Sequence, residues 1–216
     1  MKFQRRKMFS LAAAGVALSS VPSLVLSQTA STFRIGALNP ITGAGAPYGS
    51  GMQKAIQLAV EEVNAAGGAA GRRLEAFYED DQTQPQAGVL AAKKLIEVNK
   101  VEALIGTWAS GVTLAVMPLT DEANLIQMNV SGAPAISTLD KKDLVWRFQA
   151  TNDRFGAAFA EIAKKRGFKR PATMAFNNAS GRGNTDGFKR IWEAGGGKVV
   201  SEVVYEPNRP SYRSEL

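Results

Sequence analysis

The 216-residue chain is 45% hydrophobic and 21% charged, with 21 glycines and a formal net charge of +7. That is ordinary globular composition, enough for one or two domains. It contains neither cysteine nor histidine, which excludes disulfides, thiolate chemistry, Ser-His-Asp hydrolysis and most zinc chemistry.

Residues 1–27 read as a secretory signal peptide. Lys2, Arg5, Arg6 and Lys7 form a basic head before the apolar run Met8 to Val25, which Ser19, Ser20 and Pro22 interrupt. Arg5-Arg6-Lys7 also fits a twin-arginine leader loosely, with general secretion as the alternative. The run is too short and too broken for a confident membrane span. Subtracting these four cations from +7 leaves +3 for the rest, which carries no acidic residue fewer. The remaining basic pairs are dispersed, and no basic and aromatic stripe points to nucleic acid.

Strand and helix then alternate. Phe33 to Leu38 reads as a strand, Asn39 to Ser50 as a loop, and Met52, Ile56, Ala59, Val60 and Val63 as one helix face ending at Gly67-Gly68. Leu74 to Tyr78 is a second strand, and Pro85 opens a helix with Val89, Ala92, Leu95 and Ile96 on its apolar face. Asp80-Asp81 between them reads as a turn and cap pair in preference to a catalytic or metal site.

The stretch Glu102 to Thr113 carries the most chemistry. Ala103-Leu104-Ile105 is a short strand stopped by Gly106, and Ser110-Gly111 opens a helix through Leu114 and Met117. Ligands settle at such strand-to-helix turns in open α/β sheets. The amides of Ser110 and Gly111 fit a small anion, with the Ser110 hydroxyl as an added donor; the competing reading makes Ser110 a plain N-cap. Leu125 to Met128 and Val145 to Phe148 are further strands. Near Thr151 the pattern restarts: a helix capped by Asn152-Asp153 with Phe155, Phe159, Ile162 and Ala163 on its apolar face, a strand at Ala172–Phe176, a helix at Gly183–Ala194, a strand from Lys198 to Tyr205, and a helix opened by Pro210. The division is therefore 1–27 leader, 28–150 first α/β lobe and 151–216 start of a second, incomplete lobe. Strict alternation predicts doubly wound parallel sheets with helices on both faces.

Three segments, FRIGALNPITGAGAPYGSGMQKAIQLAVEEVNAAGG, LEAFYEDDQTQPQAGVLAAKKLI and LIGTWASGVTLAV, resemble in order the periplasmic solute-binding proteins of branched-chain amino acid ABC transporters. The resemblance implies a type I periplasmic-binding fold of two α/β lobes, with solute held in the cleft between them. It places Tyr48 over the ligand and Ser110 on its carboxylate. It aligns a contact segment with Val130, Ser131 and Gly132, where Gly132 stands at a point that often carries threonine or serine and Ser131 is one position earlier. It puts Ser180 where a tyrosine is common. Tyr48 and Trp108 are expected to flank a planar group, Trp108 being equally a core residue.

The function expected from this resemblance is capture of a carboxylate-bearing solute, leucine-like or aromatic, for ABC permease subunits in the inner membrane. The protein is then a periplasmic monomer with no cofactor and no catalysis. The alternatives are a ligand-sensing receptor domain of the same fold or a nucleotide-using enzyme. Against the enzyme stands Gly43 to Gly49, whose glycine spacing misses G-x-G-x-x-G by one residue. The unfinished second lobe leads to the expectation that the 216 residues are a truncated piece of a longer binding protein, binding solute weakly or not at all alone.

Overall fold

The computed structural model describes residues 31–206 and 211–213. The expected leader and Pro210 lie outside them, as does most of the expected last helix. In chain order the elements are β1 (Thr32–Asn39), α1 (Ala46–Ala65), β2 (Arg73–Asp80), α2 (Pro85–Lys93) running into a π-helical turn (Lys94–Val98), β3 (Ala103–Gly106), α3 (Ser110–Glu122), β4 (Ile126–Asn129), α4 (Ala135–Leu139), β5 (Val145–Arg147), α5 (Asn152–Lys165), β6 (Ala172–Phe176), α6 (Ala179–Ala194) and β7 (Ser201–Tyr205).

Five strands form one parallel sheet in the order β2-β1-β3-β4-β5, and β6 and β7 form a separate parallel pair. The order reverses around β1 and β3, so the turns after these strands open on one crevice. Beneath it lies the main core. Leu38, Leu95, Leu104, Val112 and Val116 are fully buried there, and Ala91, Ala92 and Val101 pack with them between the sheet and α2 and α3.

Two helices start earlier than their composition suggests. α1 begins at Ala46 and not at Met52, because Pro47 sits in its first turn, where a preset φ helps and a missing N–H costs nothing. Gly49 belongs to this helix by necessity: a Cβ there would lie 2.0 Å from the Pro40 carbonyl oxygen. α6 begins at Ala179 and not at Gly183, since the Asn178 side chain accepts the Gly181 amide at 2.7 Å and caps the helix. Both corrections move a site residue, Tyr48 or Ser180, from a loop onto the first turn of a helix. The short α4 has no counterpart in the sequence reading.

The packing face of α5 also differs. Of the expected face, Ala163 is buried, but Phe155, Phe159 and Ile162 are exposed. The buried stripe is Asn152, Gly156, Ala160 and Ala163, one residue round the helix, which lies against α6. Small residues win here because the two backbones nearly touch. A Cβ on Gly156 would sit 1.9 Å from the Asn184 carbonyl oxygen, and one on Gly187 would sit 2.2 Å from that of Asp153. Trp192, stacked on Phe188 at 5.7 Å, closes this second core with Val199.

At the carboxyl end of β2 the acidic pair divides its work. Asp80 accepts the Ile41, Thr42 and Gln82 amides at 2.9, 3.1 and 2.8 Å and the Thr42 hydroxyl at 2.6 Å, fastening the loop that leads to α1. Desolvation opposes its ionisation, but these bonds together outweigh it and hold its pKa below the ordinary value. Asp81 is fully buried. Its carboxylate accepts only the Thr83 amide, at 2.7 Å, while its Oδ2 meets no protein partner. Burial, with a smaller contribution from the Asp80 charge, pushes its pKa up to about 6 against the Thr83 bond.

Two outcomes follow from this packing and burial. Gly156→Ala should lower stability in a denaturant melt by about 1 to 3 kcal/mol through overpacking. Gly51→Ala in α1 meets nothing within 4 Å and should be neutral or stabilising by up to about 1 kcal/mol; equal effects would show that the α5–α6 contact is not tight. For Asp81 the folded pKa lies above the unfolded one, so the folded state binds more protons between about pH 4 and 6. Stability therefore falls as pH rises through that window and is flat above it. Asp81→Asn should be about 1 to 3 kcal/mol more stable than the natural chain at pH 8 and no more stable at pH 4. Urea melts at both pH values check this, and a pH-independent difference would show that Asp81 does not titrate there.

Candidate functional site

The turn from β3 into α3 is built around a sharp backbone reversal. Gly106 (φ 118°) and Thr107 (φ 49°) both occupy the left-handed region. A Cβ on Gly106 would lie 2.2 Å from the Leu38 carbonyl oxygen, so only glycine lets β3 end this close to β1. Thr107 is held by its amide, which donates to the Leu38 carbonyl at 2.7 Å. The turn then delivers Trp108, Ala109 and Ser110 to the rim of the crevice.

Tyr48 and Trp108 meet there as a stacked pair, with ring centroids 4.9 Å apart and planes 23° from parallel. They do not flank a gap for a planar group, because each ring already lies on the other. They form a two-ring shelf, with Tyr48 exposed and Trp108 half-buried. Gly45 makes room for it: a Cβ there would be 3.0 Å from the indole. Asp80 holds the shelf's base through Thr42, and the Thr83 hydroxyl accepts the Gly45 amide at 2.8 Å.

Ser110 is the first residue of α3, with Ala109 in the cap position and no side-chain capping bond. Its hydroxyl points elsewhere, accepting the Ala133 amide at 3.1 Å and lying 3.0 Å from the Ser180 hydroxyl. The Ser110 side chain is buried, whereas Gly111 is exposed. The amides of both lie in the first turn, where the helix offers no carbonyl to accept them.

The segment after β4 is locked from beneath. Val130 is half-buried, its amide donating to the Thr107 carbonyl at 3.4 Å. The fully buried Ser131 hydroxyl lies 2.9 Å from the Thr107 carbonyl oxygen and 3.0 Å from that of Trp108, and it also bonds the Thr113 hydroxyl. Its hydrogen-bonding capacity is thereby engaged within the protein. Gly132 is buried under Asn152: a Cβ would lie 2.1 Å from Asn152 Oδ1, and the Asn152 amide donates to the Gly132 carbonyl at 2.6 Å. A threonine or serine side chain has no room at 132. Arg147, at the end of β5, donates to the Ala133 carbonyl at 3.1 Å, and burial lowers its pKa against the raising effect of Asp153.

Ser180 comes from the other sheet's helix, α6, and closes the arrangement. Its hydroxyl also donates to Asn152 Oδ1 at 3.2 Å, and Asn152 Nδ2 donates to Asn184 Oδ1 at 3.2 Å. The structure thus brings Tyr48 to Trp108, and Ser110 to Ser180, Ala133 and, through Ser180, Asn152. Asn152 and Asn184 were not singled out as site residues from the sequence. Asn152 read as a helix cap, and no pattern marks an asparagine that spans two elements.

Among the described residues, no helix is long and apolar enough to cross a membrane. Comparison with known proteins agrees with the fold. The chain is 28% identical over 177 residues to the Leu/Ile/Val-binding protein BraC3 of Rhizobium johnstonii, covering 82% of this chain and 47% of that one. It superposes with a TM-score of 0.77 on an ABC transporter solute-binding protein of R. palustris solved with benzoate, at 28% identity, covering 85% of this chain and 51% of the other. A second such protein, from Rhodopseudomonas palustris BisB5 and solved with 3,4-dihydroxybenzoic acid, gives a TM-score of 0.76 at 27% identity, covering 85% and 50%. The chain spans about half the length of the relatives it matches. The periplasmic binding protein family matches residues 32–216, and with the doubly wound parallel sheets and the crevice at their carboxyl ends this chain belongs to that family.

Proposed function

We propose that this chain forms the first lobe, residues 28–150, and the start of the second lobe, residues 151–216, of an extracytoplasmic solute-binding component of an ABC importer. It captures a small carboxylate-bearing solute between the lobes and presents it to permease subunits in the inner membrane, without making or breaking a bond. The observation that carries this reading is the position of Ser110. A buried hydroxyl and two first-turn amides, with the positive end of α3 behind them, stand beside an aromatic shelf at the carboxyl ends of β1 and β3.

The solute class follows from that pairing. A carboxylate seats on Ser110 and the Gly111 amide, and the apolar or planar remainder lies against the outer face of the Tyr48–Trp108 shelf. Val130, Ser131 and Gly132 shape the floor, Ser131 acting through the backbone it fixes. Ser180 faces the seat from the second lobe. The solutes named for the relatives, branched-chain amino acids and benzoates, share this carboxylate and apolar body. Residues 1–27 direct export to the periplasm, by the general or the twin-arginine route, and the binding unit is a monomer.

Calorimetric titration of the 216-residue chain with benzoate and with leucine tests the reading. Weak binding of at least one is expected, and Ser110→Ala should weaken it further by about 1.5 to 3 kcal/mol, the size of a lost bond to a charged group, without abolishing it. Stabilisation by nucleotides with neither acid bound, or an unchanged affinity in Ser110→Ala, would overturn it.

A further inference from the structure

Ala133 is held at three points. Its amide donates to Ser110 Oγ at 3.1 Å, and its carbonyl oxygen accepts two donors, the Ile136 amide at 3.2 Å and Arg147 Nη2 at 3.1 Å. An amide N–H cannot accept, so the first bond has one direction only, and the Ser110 proton is directed to a different acceptor. A hydroxyl that accepts one hydrogen bond is polarised into a better donor. The placement of Ala133 therefore sets which way Ser110 acts. The chain around it leaves little slack: Ala133 is buried, and a Cβ on Gly183 of α6 would lie 3.3 Å from Cδ of Pro134, the next residue.

Arg147 reaches this residue from the end of β5. Its backbone is fixed by Asn129, its partner in the β4–β5 register, whose Nδ2 also donates to the Trp146 carbonyl at 3.2 Å. The guanidinium is only partly solvated. Its Nε is buried and meets no hydrogen-bond partner among the described residues, and burial opposes its charge. Arginine stays cationic all the same. Among the described residues no carboxylate forms an ion pair with it: Asp153, whose charge acts on it from farther off, is paired with Arg190 at 3.3 Å. A partly desolvated cation without a contact partner keeps its field, and one residue separates this cation from Ser110.

We propose that Arg147 is a positioning and specificity residue of the solute site: it clamps the Ala133 carbonyl so that the Ala133 amide stays on Ser110 Oγ, and its charge favours an anionic solute over a neutral one of the same shape. The proposal rests on the reading of Ser110 as the anion seat. The two actions draw on different features of one side chain. Clamping needs the planar guanidinium, whose donor is held in a fixed direction, whereas the field needs only the charge. Arg147 therefore acts on the seat through Ala133 and through space.

The test titrates the 216-residue chain, Arg147→Met and Arg147→Lys with benzoate and with benzamide, its neutral counterpart, at low and high salt. Arg147→Met should weaken benzoate by about three- to tenfold, the size expected of one partly screened charge, and benzamide by less than about twofold. Arg147→Lys keeps the charge and should keep the preference for benzoate. Added salt should shrink that preference in the natural chain and do so less in Arg147→Met. Equal weakening of both compounds by Arg147→Met, or a preference lost in Arg147→Lys, would overturn the proposal by making Arg147 structural only. Amide hydrogen exchange tests the clamp without any solute: in Arg147→Met the Ala133 amide should exchange about three- to tenfold faster while that of Leu104 in the core is unchanged. An unchanged Ala133 rate would also overturn the proposal. Faster Ala133 exchange, with neither compound bound by any of the three chains, would leave the clamp standing and overturn the carboxylate-capture reading, and the anion preference with it.

Discussion

The site depends on one buried hydroxyl. Ser131 reaches from the end of β4 to the carbonyls of Thr107 and Trp108 and to the hydroxyl of Thr113, tying the floor to both the turn and the helix that follows. Without it the left-handed turn at Gly106-Thr107 would have only its amide bonds to hold it. Trp108 and Ser110 are presented at a fixed height because the residues on either side of them cannot move independently. Buried polar groups satisfied in this way confer position more than net stability. Gln127 and Thr120 continue the same device deeper, bonding each other at 3.0 Å between β4 and α3.

The parallel sheet was legible because alternation is a repeated signal. β1, β2, β3 and β6 sit within two residues of where the apolar runs place them, and the Gly106 stop marks a position where no other residue fits. Reading failed where local composition and tertiary contact disagree. Glycine and proline around Gly45 to Gly49 argue for a loop by propensity, yet a proline in a first turn and a glycine jammed against the Pro40 carbonyl make a helix there. On α5 the assumption that bulk goes inside misplaced Phe155, Phe159 and Ile162 and held only for Ala163, since glycine and alanine bury better when two helix backbones almost touch.

Within the site, the legible part was chemical type and the illegible part was connectivity. A serine at the start of a helix after a strand is visible in the sequence. That its hydroxyl bonds an amide in one loop and a serine 70 positions later is a property of how α6 lands on Pro134, for which no residue spacing gives notice. The Tyr48–Trp108 pair shows the same limit: both rings were identifiable as aromatics near a crevice, but only the helical placement of Tyr48 turns a pair of walls into one shelf.

That shelf gives the protein an optical property. Of its three tryptophans, Trp146 is exposed on β5 and Trp192 is sealed against Phe188 in the second core. Trp108 alone stacks on a tyrosine at the crevice, with a ring geometry set by the turn beneath it. Two chromophores held this close and nearly parallel couple electronically, so the near-ultraviolet dichroism of the chain carries a band from the shelf itself. Anything that lands on the rings, or tilts α1 by a few degrees, alters that band while the signal from Trp192 stays constant as an internal reference.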